Sequence, residues 1–64
     1  MQQYIIPMAR NIRTGQTVKS QDLSGVRLIP RQRRECRLLA ERLADQMTAR
    51  GPDTWQPVIQ PYSA

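Results

Sequence analysis

Three groups of side chains in this 64-residue sequence have the chemical types for a working site: one cysteine, two acidic residues four positions apart, and a set of arginines. A thiol becomes a nucleophile when a base or a positive neighbour holds it as thiolate. Cys36 has no histidine to do so, because the sequence contains none. Its position among apolar residues at helical spacing reads as a small core residue. Glu41 and Asp45 stand at i, i+4, which puts two carboxylates on one helix face. A working acid–base pair needs burial to drive its two pKa values apart. These two lie among arginines on a polar face, so they read as partners in helical ion pairs, Arg37 with Glu41 and Arg42 with Asp45. One cysteine and no histidine leave too few ligands for a structural zinc site. Gly15 and Gly25 are too far apart for a phosphate loop, and no glycine cluster precedes a helix. No catalytic residue, metal or cofactor is assigned, and the expectation is a protein that binds without catalysing.

The arginines are the stronger signal. Ten Lys and Arg residues face five Asp and Glu residues, for a net charge of +5, and nine of the ten are arginine. Arginine stays charged and forks onto carboxylates and phosphates. Residues 1–34 hold seven basic side chains against one acid, whereas residues 35–64 hold three against four. The positive field therefore centres on the N-terminal half and the start of the helix. Arg33, Arg34 and Arg37 spread over roughly 100° of one helix flank. Arg31 and Arg42 share a second line, and Arg27 stands just before the helix. Arg10, Arg13 and Lys19 fall near the tip of a hairpin. Such a surface suits an anionic partner, with binding that weakens steeply in salt. Leu38 falls nearly opposite the centre of the apolar arc, among these charges, where a leucine can anchor a protein interface.

The elements that must hold these residues are legible in turn. Tyr4 to Ala9 is β-branched, aromatic and apolar and reads as a strand. Pro7 within it predicts an edge strand or a bulge. Asn11 to Gly15 has turn chemistry, with Gly15 able to take a positive φ. Gln16 to Lys19 returns as a second strand. Ser20 to Gly25 is a loop in which Asp22 caps a short turn, and Val26 to Ile29 reads as a third, short strand. Pro30 opens a helix that runs to Arg50. Cys36, Leu39, Ala40, Leu43, Ala44 and Met47 fall within an arc of roughly 140°. Gly51 is a natural C′ residue, and Pro52 stops the helix. Trp55 to Tyr62, with Pro57 and Pro61, reads as a last strand at an edge. The aromatics Tyr4, Trp55 and Tyr62 could stack on bases, although core use is favoured, with Trp55 over the helix end. The fold class is α+β: residues 1–64 form one domain, a small antiparallel sheet of a hairpin plus a C-terminal strand, packed on one long helix in the order ββ(β)αβ.

A domain of this size buries only about 60% of its unfolded surface and is marginally stable. An internal disulfide is excluded, so good packing or self-association must hold it. No apolar run is long enough to span a membrane. Met1-Gln2-Gln3 lacks the basic region and apolar stretch of a signal peptide. With a lone cysteine, the expected compartment is the cytoplasm.

The pattern Tyr4-Ile5-Ile6, Ala9-Arg10-Asn11, Thr14-Gly15-Gln16, then Leu43-Ala44, Met47-Thr48-Ala49-Arg50 and Trp55 resembles small accessory proteins carried by bacterial plasmids, phages and integrated elements. That resemblance implies a short, non-enzymatic protein that regulates DNA transactions or blocks host defence complexes, as anti-CRISPR proteins do. It carries no functional residue with it.

Three readings follow. In the first, the protein is a nucleic-acid-binding module of little sequence specificity, contacting phosphates through Arg33, Arg34, Arg37, Arg10, Arg13, Lys19 and Arg27. In the second, it is a protein-binding inhibitor or adaptor whose arginines meet an acidic or nucleic-acid-handling surface, with Leu38 as anchor. In the third, a homodimer forms through a strand edge, against which the edge prolines argue in part.

Overall fold

A computed structural model describes residues 3–20 and 27–63. In chain order it contains strand β1 (Gln3–Asn11), strand β2 (Thr17–Lys19), a 3-10 turn (Pro30–Gln32), helix α1 (Arg33–Arg50) and strand β3 (Trp55–Ser63). The strands form one antiparallel sheet in the order β2-β1-β3, with the helix packed on one face. This is the α+β arrangement expected from the sequence. No helix among the described residues is long and apolar enough to cross a membrane.

The hairpin turn forms for the reasons its residues suggest. The Asn11 side-chain carbonyl accepts the N–H groups of Arg13 at 2.8 Å and Thr14 at 3.2 Å. Gly15 donates its N–H to the Asn11 carbonyl at 2.8 Å and takes φ 80°, a left-handed conformation that a side chain would strain. Asn11 is thereby 4% exposed and satisfied, a buried polar residue that sets the turn.

Pro7 corrects the expectation of an edge strand, because β1 is the centre of the sheet. The physical reason lies in the alternation of antiparallel hydrogen bonds. Odd residues of β1 point their N–H and C=O groups away from β3: Asn11 N–H donates to Gln16, Ile5 N–H donates to Leu28 at 2.9 Å, and Pro7 C=O accepts from Ser20 at 3.1 Å. Strand β2 ends at Lys19, Ser20 next to it bonds to the Pro7 carbonyl, and the bridge from Leu28 to Ile5 follows. Pro7 thus stands where the β2 pairing gives out, and its absent N–H omits one bond at that end while its C=O is still satisfied. Leu28 makes that single bridge where a short third strand was expected. Val26 and the Asp22 cap lie outside the described residues.

The same alternation orients β3. Its even residues bond to β1, and its odd positions face the free edge, including Pro57 and Pro61. Trp55, also odd, donates its N–H to Thr48 Oγ1 at 2.9 Å. The edge is therefore poor in donors, as the two prolines predict.

Pro30 opens a 3-10 turn rather than the α-helix itself, which starts at Arg33. Gln32 ties this entry: its N–H donates to Ile29 C=O at 2.8 Å, and its side-chain carbonyl accepts from Ile29 N–H at 3.2 Å. At the other end Gly51 is extended, with φ −134° and ψ 179°, rather than left-handed. Pro52 and the Thr48–Trp55 bond terminate α1 instead.

The helix buries Cys36, Ala40 and Ala44, the small residues of its apolar arc. They face the odd side of β1, where Ile5, Pro7 and Ala9 are buried. Small against small brings the helix close to the sheet. Ile5, Leu28 and Cys36 form the core cluster, with Leu39 and Ile59 packed against it. Burying Ile5 and Leu28 contributes roughly 1.5–3 kcal/mol each.

Candidate functional site

The face of the sheet turned away from the helix carries the even residues of β1: Tyr4, Ile6, Met8 and Arg10. Their register partners on the same face are Tyr62, Gln60, Val58 and Gln56 from β3, and Lys19 and Thr17 from β2. Tyr4, Ile6, Met8, Val58 and Tyr62 on it are half-buried. Among the described residues this face holds no carboxylate, while Arg10 and Lys19 on it are exposed.

This face carries a stack of three planar groups. Tyr4 and Tyr62 are directly opposite in register, with ring centroids 5.3 Å apart and planes 29° from parallel. The Arg27 guanidinium lies over the Tyr4 ring at 5.2 Å from its centroid. Leu28 flanks β1 on the side opposite β3. Arg27 and Tyr62 therefore approach Tyr4 from opposite sides, in the order Arg27, Tyr4, Tyr62. A shallow cavity of about 190 Å³ opens beside the two rings, lined also by Ile5, Pro30 and Pro61.

The basic residues named from the sequence do not form one surface. Arg10, Lys19 and Arg27 belong to the open sheet face. Arg13 forks onto Asp53 through Nε at 2.7 Å and an Nη at 2.8 Å, so it fastens the turn rather than offering a free cation. Asn11 Nδ2 donates to the same carboxylate at 3.0 Å. With the Arg13 guanidinium as the larger cause, these bonds hold the Asp53 pKa down to about 2. On the helix, turn geometry separates the arginines. Arg33 and Arg37 flank the apolar arc on the β3 side and, with Pro57 and Ile59, line a groove of about 190 Å³. Arg34 joins Leu38 and Arg42 on the outer ridge, where Leu38 is 60% exposed.

Arg37 Nε pairs with Glu41 at 3.5 Å, as expected from their spacing. Among the described residues Arg42 and Asp45 form no such pair. Cys36 is 0% exposed in the core, and burial pushes its thiol pKa up, the opposite of activation. Trp55 lies on the helix side of β3 and is half-buried near the end of α1. The three-layer stack was missed in the sequence. Its available signal was that both tyrosines are even-numbered in antiparallel strands, but their pairing needs the register.

No family model, curated protein or solved structure matches this chain.

Proposed function

We propose that the protein acts by binding single-stranded nucleic acid, with little sequence preference, on the open face of its sheet. The observation that carries this is the Arg27–Tyr4–Tyr62 stack on a face that, among the described residues, bears cations and no carboxylate. The outer side of the Tyr62 ring is the next position of that stack, where a base continues it. Base stacking on an aromatic ring tolerates any base, since every base has a π-face. Arg10 stands six residues along β1 from Tyr4, about 20 Å away at strand rise. It and Lys19 are placed to meet phosphates of the same strand. Phosphate and π-face contacts position a strand without reading its sequence. Such a module suits an accessory protein of a mobile element, the group that the sequence resembles.

Titration of a labelled single strand and of the matching duplex, each at two salt concentrations, tests this. The single strand should bind more tightly, and binding should weaken with salt. Tyr62→Leu keeps an apolar cover on the sheet and removes the ring. It should cost about 1–3 kcal/mol, or roughly 5- to 150-fold in affinity. Equal binding of Tyr62→Leu and wild type, or a preference for duplex, would sink the proposal.

Leu38 favours a second reading. It is exposed on the outer ridge between Arg34 and Arg42, and an acidic protein surface is the complementary partner. In that case Leu38→Ser abolishes capture of a host protein that persists after nuclease treatment, and Tyr62→Leu does not.

A further inference from the structure

We propose that the groove between α1 and the β3 edge is a phosphate subsite for the strand that stacks on Tyr62, an inference that rests on the reading above. Arg33 and Arg37 are one helical turn apart on the same flank, and Pro57 and Ile59 form the opposite, apolar wall. Two guanidinium forks over an apolar wall match a phosphate and the sugar beside it. Ile59 is three residues from Tyr62 along β3, about 10 Å at strand rise. One strand can therefore place a base on Tyr62 and a following phosphate between the arginines by crossing the β3 edge.

The surroundings keep this groove open and positive. Pro57 and Pro61 remove outward donors from the edge, so no further β-strand adds there to cover it. The four described acids are otherwise disposed, with one exception. Asp53 is held by Arg13 and Asn11. Glu35 accepts from Gln32 Nε2 at 3.3 Å. Asp45 falls on the outer ridge by helical geometry. Glu41 alone reaches the groove, at 3.5 Å from Arg37 Nε. Arg33 has no ion-pair partner among the described residues. Glu41 therefore competes with the incoming phosphate for Arg37, and neutralising it should tighten binding.

The experiment has two arms. In the first, a 15-residue thymidine strand is titrated by fluorescence anisotropy across a salt series. Arg33→Gln/Arg37→Gln should lower the slope of log affinity against log salt by about 0.7, for the one phosphate no longer neutralised. Glu41→Gln should bind several-fold more tightly than wild type. An unchanged slope in the double variant, while Tyr62→Leu still weakens binding, overturns the subsite and leaves the sheet reading standing. In the second arm, the guanidinium resonances of the wild-type protein are followed by NMR as inorganic phosphate is added. Shifts at Arg33 and Arg37 that exceed those at Arg42, and that saturate earlier in Glu41→Gln, support the subsite. Equal shifts at all three arginines overturn it whatever the strand does. Selective phosphate shifts with no binding of the thymidine strand overturn the role in strand binding and, with it, the reading of the sheet face.

Discussion

Asp53 is where the hairpin turn meets the connection from α1 to β3. Its carboxylate accepts from Arg13 and Asn11, residues some forty positions earlier, and these bonds hold its pKa at about 2, below the ordinary 3.8. A carboxylate with a depressed folded-state pKa stabilises the fold in full above its unfolded value. That contribution is lost as pH falls through about 2. Asp53→Asn keeps the shape and removes the charge. The stability gap between wild type and this variant should be constant above about pH 5 and close between pH 4 and 2. Urea unfolding at stepped pH measures it, and a gap unchanged down to pH 2 would contradict this account. Cys36, by contrast, is buried at 0% exposure in the core cluster, where its place in the apolar arc put it.

At the scale of elements, helix and sheet meet through small side chains. Ala40 is 0% exposed and faces a β1 strand whose Ala9 is likewise 0% exposed. Ala40→Leu inserts three heavy atoms into that contact and should destabilise by about 1–3 kcal/mol, read from the urea midpoint. A change smaller than the error of the midpoint would show that the helix can lift without cost. The prolines of β3 act on a different quantity. Replacing Pro57 and Pro61 together by threonine restores two outward N–H groups at the free edge. Folding stability should barely change, while light scattering should show concentration-dependent association stronger than that of wild type. The elements themselves were legible because each is set by its neighbours in sequence: the Asn11–Gly15 turn, the 36–47 arc, the Pro52 stop. Pro7 was misplaced for an equally physical reason. Its missing donor costs least where a strand pairing ends, and the end of β2 beside Pro7 is a property of the assembled sheet.

Over the whole molecule, charge is partitioned rather than pooled. The described acids lie on the helix or at its C-terminal end, whereas the described charges of the open sheet face are all cations. Sequence proximity suggested a single patch of Arg33, Arg34 and Arg37, but a helix turns neighbours away from one another. It sends Arg34 to the outer ridge and the other two to the β3 groove. The tyrosines behave in the opposite way. They come from the two ends of the sequence, and the long β1–β3 register stacks them. Spacing along the chain thus reveals faces of one element well and sites shared by distant strands poorly.

That register also pairs Gln3 with Ser63, so the two ends of the described chain emerge side by side at the Tyr4–Tyr62 corner. Any tether leading away from Gln3 or Ser63 is therefore anchored next to the aromatic stack. A bulky fusion would shade the corner from either end, whereas a small fluorophore on a short linker would sit within reach of an arriving base and report its arrival directly.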